Sequence, residues 1–365
     1  MNLQSLIPNR MHFIVIGLLS LSMISLQILM TRIFSVIFYY HFAFAGITFA
    51  MLGLTIGAFK VYDAKLKFSL SDVNEWCSKH MLRASVLLSI TSLAIVDFSG
   101  RLLSMYKDYE GITGDIIQLA AIAVIFLGPF VFVKIFSDLG VCITLLLTCF
   151  PSYTNRLYAV DLISAAFGCI AVVAALYFLD PISIILLMSS VMAIYAWKLV
   201  KENPTYPKKL IACTAIALCT IFVVQSASYT MGSPLFGLRI GKLRPLEEFK
   251  FERWNSFTHV GISPKHDRFV PFGWGFGSKL RMEDYPNIEQ YWLKIDASAG
   301  TILTKFDGDF NKVGYLKYDI TNFPYHLRDI NHVAVIGVGG GRDVLSALSF
   351  GVKQITGIEI NPAIF

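Results

Sequence analysis

Residues 332–350 read HVAVIGVGGGRDVLSALSF, a stretch that predicts a strand, a tight glycine turn and a helix in that order. The strand is the apolar run VAVI at 333–336, and the helix begins at Arg342. Gly351 then stops the helix, and a second strand over 354–360 carries Glu359, about 20 residues after the glycines. The turn contains Gly337, Gly339, Gly340 and Gly341. This order of elements predicts a β-α-β unit with a nucleotide-binding loop.

Each residue type in this unit has a chemical reason. Glycines let a ligand approach the main chain closely, and the first turn of a helix presents free N–H groups. A carboxylate at the end of the second strand, here Glu359, can accept hydrogen bonds from both hydroxyls of a ribose. We therefore expect the four glycines and Glu359 to bind a cofactor, with Asp343 in the first helical turn as a further candidate.

The spacing of the glycines selects among nucleotides. The dinucleotide fingerprint G-x-G-x-x-G requires a glycine at position 342, which is Arg342. The observed spacing is G-x-G-x-G at Gly337, Gly339 and Gly341, which is typical of loops that bind an adenosyl amino acid. A glycine-rich turn without any ligand is the alternative.

The rest of the chain is dominated by apolar runs. Of its 365 residues 55% are hydrophobic and 15% charged, whereas about a quarter of an ordinary globular domain is charged. A helix needs about 20 apolar residues to cross a bilayer, and runs of that kind predict about seven spans, within a range of six to eight. They lie near 12–30, 36–59, 82–98, 115–136, 158–179, 182–199 and 210–228.

Residues 137–150 are ambiguous, because they are apolar but too short to cross alone. The Gly128-Pro129 pair before them indicates one long kinked helix. Residues 13–30 do not resemble a secretory signal peptide, since the apolar run is too long and no small-residue cleavage site follows. The fold class is thus mainly an α-helical membrane bundle.

Basic loops predict the orientation of this bundle. The positive-inside rule places both loops and the N-terminus in the cytoplasm. The basic residues are Lys60, Lys65, Lys67, Lys79 and Arg83 in the first loop and Lys198, Lys201, Lys208 and Lys209 in the second. Seven spans would then leave the C-terminal part outside, whereas an adenosyl cofactor is made in the cytosol. We expect a cytoplasmic C-terminal part and one mis-assigned segment, either 137–150 or 210–228.

Ionisable residues also fall in or beside the apolar runs. Near the ends of spans, four residues are expected to reach the polar interface, namely Arg32, Asp97, Lys134 and Asp138. Asp161 is deeper, and we expect it to pair with Arg32 or His41.

The composition changes after residue 230, where charged residues, glycine and proline return. We assign 1–230 to the transmembrane domain, 231–330 to a small β-rich subdomain and 331–365 to the first β-α-β of an S-adenosylmethionine-type domain. Turn signals at Ser263-Pro264, Ala299-Gly300 and Asp307-Gly308 separate the strands. The six cysteines form no CxxC pair, so no metal site is expected. The net charge of +6 is spread along the chain, which argues against nucleic-acid binding.

The glycine segment resembles the spermidine-synthase-like proteins. VIGVGGGRDVLSAL at 335–348 and ITGIEINPAI at 355–364 carry the likeness, which is strongest to the branch with an N-terminal helix bundle. Other stretches that agree are LMTRIFS at 29–35, YHFAF at 40–44, YAVDL at 158–162 and WNSF at 254–257.

The resemblance implies a Rossmann-like fold of the class I methyltransferase type that binds S-adenosylmethionine or decarboxylated S-adenosylmethionine. It places Tyr325 and His326 at the substrate site. The chain departs from the family at Leu327 and Gly340, where aminopropyltransferases of this family have acids that suit a cationic polyamine. The acids that recognise adenine and activate the acceptor come later in the family, so no catalytic residue is assigned, and we expect these 365 residues to be a truncated, inactive form of a transferase.

Three functions remain open on sequence grounds, and the last of them is a simple membrane anchor with a degenerate domain. The first is a membrane-bound transferase that moves an aminopropyl or methyl group to a small-molecule acceptor. The second is a transporter or membrane sensor with a regulatory or degenerate adenosyl-binding domain. The expected partners are the lipid bilayer of a plasma or inner membrane and the acceptor, and a homo-oligomer is left open.

Overall fold

The computed structural model describes residues 6–364 except 65–67, 107–108, 110, 202, 204–206, 247–248, 266–270 and 286–287. The chain divides into two compact units, Met1–Leu246 and Glu247–Phe365. The first unit is helical and the second contains most of the β-structure. Lys65 and Lys67, two of the residues used to predict orientation, lie outside the described residues.

The first unit is built from long helices. They are α1 (Arg10–Ile37), α2 (Ala43–Asp63), α3 (Leu70–Leu93), α4 (Ser99–Met105), α5 (Ile112–Cys149), α6 (Thr154–Ala175), α7 (Pro181–Val200) and α8 (Lys208–Thr230). A π-helical turn, Ala94–Phe98, joins α3 to α4. Side chains cap several N-termini: Asn9 accepts hydrogen bonds from the amides of Met11 and His12, and Ser69 accepts one from Asp72.

Seven helical segments in the described part of the chain are long and apolar enough to cross a membrane, which confirms the predicted count. Residues 137–150 add no span, because they continue α5 through Pro129 as one helix of 38 residues. The last apolar run forms α8, which has 23 residues. Neither segment therefore removes the conflict over orientation, since an odd number of crossings puts the two ends of the bundle on opposite sides.

Helices α2 and α5 approach each other through small residues. The buried residues of α2 are Gly46, Ala50, Gly53 and Gly57. A Cβ atom added at Gly53 would lie 2.5 Å from the Val133 carbonyl oxygen, and one at Gly57 would lie 2.5 Å from that of Ser137. In lipid, where water exclusion does not drive helices together, such close backbone approach supplies the packing energy. The spacing of four between Gly53 and Gly57 places both on one face of α2.

A buried carboxylate joins α3 to α5. Asp138 has 0% exposure, and its carboxylate lies 2.8 Å from His80 Nδ1 and 2.6 Å from Lys134 Nζ. Arg83 donates from Nε at 2.7 Å and from Nη2. We call His80, Arg83, Lys134 and Asp138 the Asp138 cluster. The expectation that Asp138 reaches the interface is wrong, because three basic side chains compensate its burial.

Asp161 on α6 accepts a hydrogen bond from the Ser20 hydroxyl on α1. The predicted pairing of Asp161 with Arg32 or His41 is therefore wrong. A serine provides a donor at this position without adding a second charge.

Residues 231–246 belong to the first unit, although the sequence assigned them to the β subdomain. Gln225 Nε2 donates to the Phe236 carbonyl at 2.8 Å, and the Gly237 amide donates to buried Asp97 at 3.2 Å. The short strands β1 (Ile240–Gly241) and β2 (Arg244–Pro245) follow, and the Lys242 amide donates to the Val36 carbonyl at the end of α1. The Arg239 amide donates to the Val96 carbonyl at 3.1 Å, so carbonyl groups at the end of α1 and in the π-helical turn after α3 both accept hydrogen bonds from this segment.

The second unit begins with an antiparallel four-stranded sheet in the order β3-β4-β5-β6. These strands are β3 (Phe251–Trp254), β4 (His259–Lys265), β5 (Gln290–Ile295) and β6 (Ala299–Thr304). Ser263-Pro264 lies at a register irregularity inside β4 rather than at a turn. The tight turn before β6 is at Asp296 and Ala297, both with positive φ. The turn predicted at Ala299-Gly300 therefore lies three residues earlier in the structure, and Ala299 and Gly300 belong to β6.

A β-α-β unit ends the described chain. Strand β7 (His332–Ile336) pairs in parallel with β8 (Gln354–Ile358), and α10 (Arg342–Ser349) connects them; the one-turn helix α9 (Pro324–Leu327) precedes β7. Leu345 of α10 packs with Val313, Tyr315 and Leu316 in the core of the second compact unit. The predicted strand, loop, helix and strand are confirmed within a few residues.

We expect Gly53→Val to separate α2 from α5, because its side chain would meet the backbone of Val133. Overpacking of this kind costs about 1–3 kcal/mol. Thermal unfolding in detergent should show a lower midpoint for Gly53→Val and an unchanged one for Thr55→Val on the exposed face of the same helix. Equal midpoints for the two variants would contradict the proposed packing.

We expect Asp138→Asn to destabilise the helical unit by about 3 kcal/mol, the lower end of the range for losing one partner of a buried ion pair. The lower end applies because Arg83 and Lys134 are 38% and 40% exposed and can turn toward water. The unfolding midpoint in detergent measures this loss. Asp115→Asn, at an exposed position of the same helix, is the matched control and should unfold as the unchanged protein does.

Candidate functional site

The glycine loop between β7 and α10 requires glycine at three positions for conformational reasons. Gly337, Gly339 and Gly341 have φ values of 75°, 53° and 75°, in the left-handed region. A Cβ atom at Gly337 or at Gly341 would meet no atom within 4 Å, so the loop is open beside these two residues. Open space next to exposed backbone is what a bound ligand would need.

Gly340 is required for a different reason. A Cβ atom added there would lie 2.3 Å from the carbonyl oxygen of Ile302 on β6. The loop therefore lies directly against the four-stranded sheet. This contact also explains why no larger residue, acidic or otherwise, occupies position 340.

Glu359 follows β8 and turns back to the loop. Its Oε2 accepts a hydrogen bond from the Gly339 amide at 3.0 Å, and Oε1 accepts one from the Asn361 amide at 2.9 Å. These bonds hold the pKa of Glu359 below its usual value, so the side chain is ionised at neutral pH. The structure thus brings together the predicted loop and the predicted acid.

Asn361 holds the segment after Glu359 in place and was not predicted from sequence. Its Nδ2 donates to Thr258 Oγ1 at 2.7 Å, and its Oδ1 accepts from Asn255 Nδ2 at 2.6 Å. Both asparagines are buried. Two signals were available, namely the WNSF stretch at 254–257 and the Asn-Pro pair at 361–362, two residues after the acid.

Arg342 occupies the position where the dinucleotide fingerprint G-x-G-x-x-G would have its third glycine. Its side chain is buried and forms an ion pair with Asp319, and Nη1 donates to Thr321 Oγ1 at 3.2 Å. Asp319 also accepts a hydrogen bond from the Trp274 amide at 2.8 Å. The residue that replaces the third glycine therefore anchors the start of α10 to the segment before α9.

Tyr325 and His326 lie on α9 and both contact Phe350 at the end of α10. The Tyr325 ring stacks on Phe350 at 4.8 Å between centroids, and the His326 ring meets it edge-on at 5.0 Å. Burial, together with the charge of Asp343, raises the pKa of Tyr325. Asp343 is exposed and lies near Tyr325. Among the described residues, no hydrogen bond or ring contact joins Glu359 or the loop glycines to Tyr325 or His326.

The predicted site residues therefore form two groups. Glu359 and the glycine loop are joined by hydrogen bonds, and Tyr325, His326 and Asp343 gather around α9 and α10. A ligand that touched both groups would have to reach from the glycine loop, at the start of α10, to the side chains of α9. An extended molecule, such as a nucleoside linked to an amino acid, would be long enough to contact both groups.

We expect Gly340→Ala to displace the loop from β6, because no flexible atom can yield at the Ile302 carbonyl. Hydrogen exchange followed by mass spectrometry should show faster exchange in peptides covering 337–345. Gly277→Ala is the matched control, since its nearest neighbour would be 3.8 Å away. Unchanged exchange in Gly340→Ala would show that the loop does not depend on this contact.

Comparison of the chain with known proteins adds no assignment: no family model, no curated protein and no solved structure matches it.

Proposed function

We propose that this protein is a membrane-bound transferase of the spermidine-synthase-like kind, whose C-terminal unit binds S-adenosylmethionine or decarboxylated S-adenosylmethionine. One observation carries the proposal: Glu359, at the end of the second strand, is hydrogen-bonded to the Gly339 amide of the glycine loop. A carboxylate in that position suits the two hydroxyls of a ribose. The Rossmann-like character of the unit is part of the same proposal.

The residues present fit an adenosyl group. Glu359 is ionised and partly exposed, and each of its oxygens uses one lone pair on a backbone amide, which leaves others for the ribose. The space beside Gly337 and Gly341 admits the rest of the nucleoside. Asn361, fixed by Asn255 and Thr258, sets the position of Glu359 without contacting the ligand.

The sulfonium of the cofactor supplies an electrophilic carbon that an acceptor can attack. The protein would contribute mainly by holding the two reactants in line, and such orientation lowers barriers by several kcal/mol, up to roughly 10. In this proposal the acceptor binds beside Tyr325 and Asp343, which lie near each other. Position 340 carries no acid, so the site has less negative charge for a polyamine than the family pattern provides.

The helical unit would hold this chemistry at the bilayer and give access to a lipophilic or membrane-borne acceptor. We propose that the C-terminal unit lies in the cytoplasm, where the cofactor is made. Seven crossings with a cytoplasmic N-terminus would place it on the other side. The proposal thus requires that the start of α1 lie outside the cytoplasm.

Binding to the full-length protein in detergent tests this function. We expect isothermal titration calorimetry to detect S-adenosylmethionine or its decarboxylated form and not NAD. Glu359→Gln should weaken binding about 10- to 100-fold, because hydrogen bonds to a charged group contribute about 1.5–3 kcal/mol. Affinity should be constant between about pH 6 and 8, since Glu359 stays ionised there.

Glu283→Gln, at an exposed position in the same unit, is the control and should bind as the unchanged protein does. Equal affinity in Glu359→Gln would contradict the ribose role of Glu359. Binding of an adenosyl sulfonium without transfer to any acceptor would favour a transporter or sensor, and absence of binding would end the proposal.

A further inference from the structure

A cavity between α3 and α8 combines an apolar wall with basic side chains. Its volume is about 340 Å³, within the range of small-ligand sites. The apolar wall consists of Leu82, Val86 and Leu87 from α3 with Leu210 and Ile211 from α8. Arg83 and Lys79 also line it, about one and two helical turns before Val86.

The cavity lies where α3 changes character. Residues 70–83 are mostly polar, and the apolar run of the helix begins at Ala84. Helix α8 enters its apolar run at Leu210, directly after Lys208 and Lys209. Both changes mark the level of a membrane interface, at the end of the bundle that carries the basic loops.

Positive charge is in excess around Arg83, one of the residues that line this cavity. Arg83 and Lys134 share one carboxylate, that of Asp138, while Lys60 donates to the Ser137 hydroxyl at 2.9 Å. The contacts to Asp138 use Nε and Nη2 of Arg83, so its guanidinium is fixed in place while 38% of the side chain stays exposed. Lys79 is exposed at the cavity. A fixed arginine and an exposed lysine beside an apolar wall match a phosphate joined to an acyl chain.

We propose that this cavity binds an anionic phospholipid, with its phosphate on Arg83 and Lys79 and part of one acyl chain against Val86 and Leu210. Basic pockets between membrane helices bind acidic headgroups in this way, because the charge is held near the lipid surface. The site is independent of the glycine loop, and its ligand is a lipid of the surrounding membrane.

The test compares lipids on the purified full-length protein in detergent. Dioleoylphosphatidylglycerol should raise the thermal unfolding midpoint and remain bound in native mass spectrometry, and dioleoylphosphatidylcholine should do neither. Lys79→Ala should weaken phosphatidylglycerol binding about fivefold, since one lysine near an anionic lipid contributes about 1 kcal/mol. Val86→Trp, which fills the cavity, should abolish binding. Lys201→Ala, exposed at the same end of the bundle, should leave it unchanged.

Equal binding of the two lipids would overturn the proposal, and so would full retention of phosphatidylglycerol by both Lys79→Ala and Val86→Trp. Stabilisation by inorganic phosphate at the same concentration would identify an anion site and exclude the lipid as the specific ligand. Lys79 is exposed and outside the Asp138 cluster, so Lys79→Ala should fold and give a readable result.

Discussion

Close approach of two backbones at glycine is the constraint on which both units depend. In the helical unit, Gly53 and Gly57 bring α2 against α5 at distances that no side chain would allow. In the second unit, Gly340 brings the loop after β7 against Ile302 of β6. Dispersion energy falls steeply with distance, so these contacts are strong only because the Cβ atom is absent. Elements far apart in the sequence meet at these points.

Two buried carboxylates show how charge is accommodated in the two environments. Asp138 in the helical unit is surrounded by His80, Arg83 and Lys134, whose positive charge exceeds its own. Asp319 in the second unit is bound by one arginine, Arg342, and by backbone amides. The first arrangement leaves positive charge at the bundle surface. The second has one cation, which also pairs with Asp343, and it fixes the start of α10 next to the glycine loop.

Orientation in the membrane illustrates a limit of counting spans. The number of apolar helices and the basic loops are both readable from sequence, and the number of helices agrees with the structure. Together they place the start of α1 and the residues after α8 on opposite sides. The proposed cofactor is made in the cytosol, which favours a cytoplasmic C-terminal unit. The positive-inside rule, applied to the same seven helices, predicts the opposite orientation. Basic residues near helix ends influence orientation without fixing it, and several here serve other contacts, such as Arg83 with Asp138.

The sequence by itself determined the elements: seven long apolar helices, the strand, glycine loop, helix and strand of the β-α-β unit, and the position of Glu359 at the end of the second strand. Local periodicity and turn residues suffice for these features, because they depend on neighbours within a few positions. Only the tertiary structure decided that Asp138 is buried among cations, that Asp161 pairs with Ser20, and that Asn255 and Thr258 hold Asn361 behind Glu359. Apart from Lys134, which lies one helical turn before Asp138, the partners in those contacts are from about 55 to more than 140 positions apart. No local pattern encodes which distant partner a polar side chain will meet once the chain has folded.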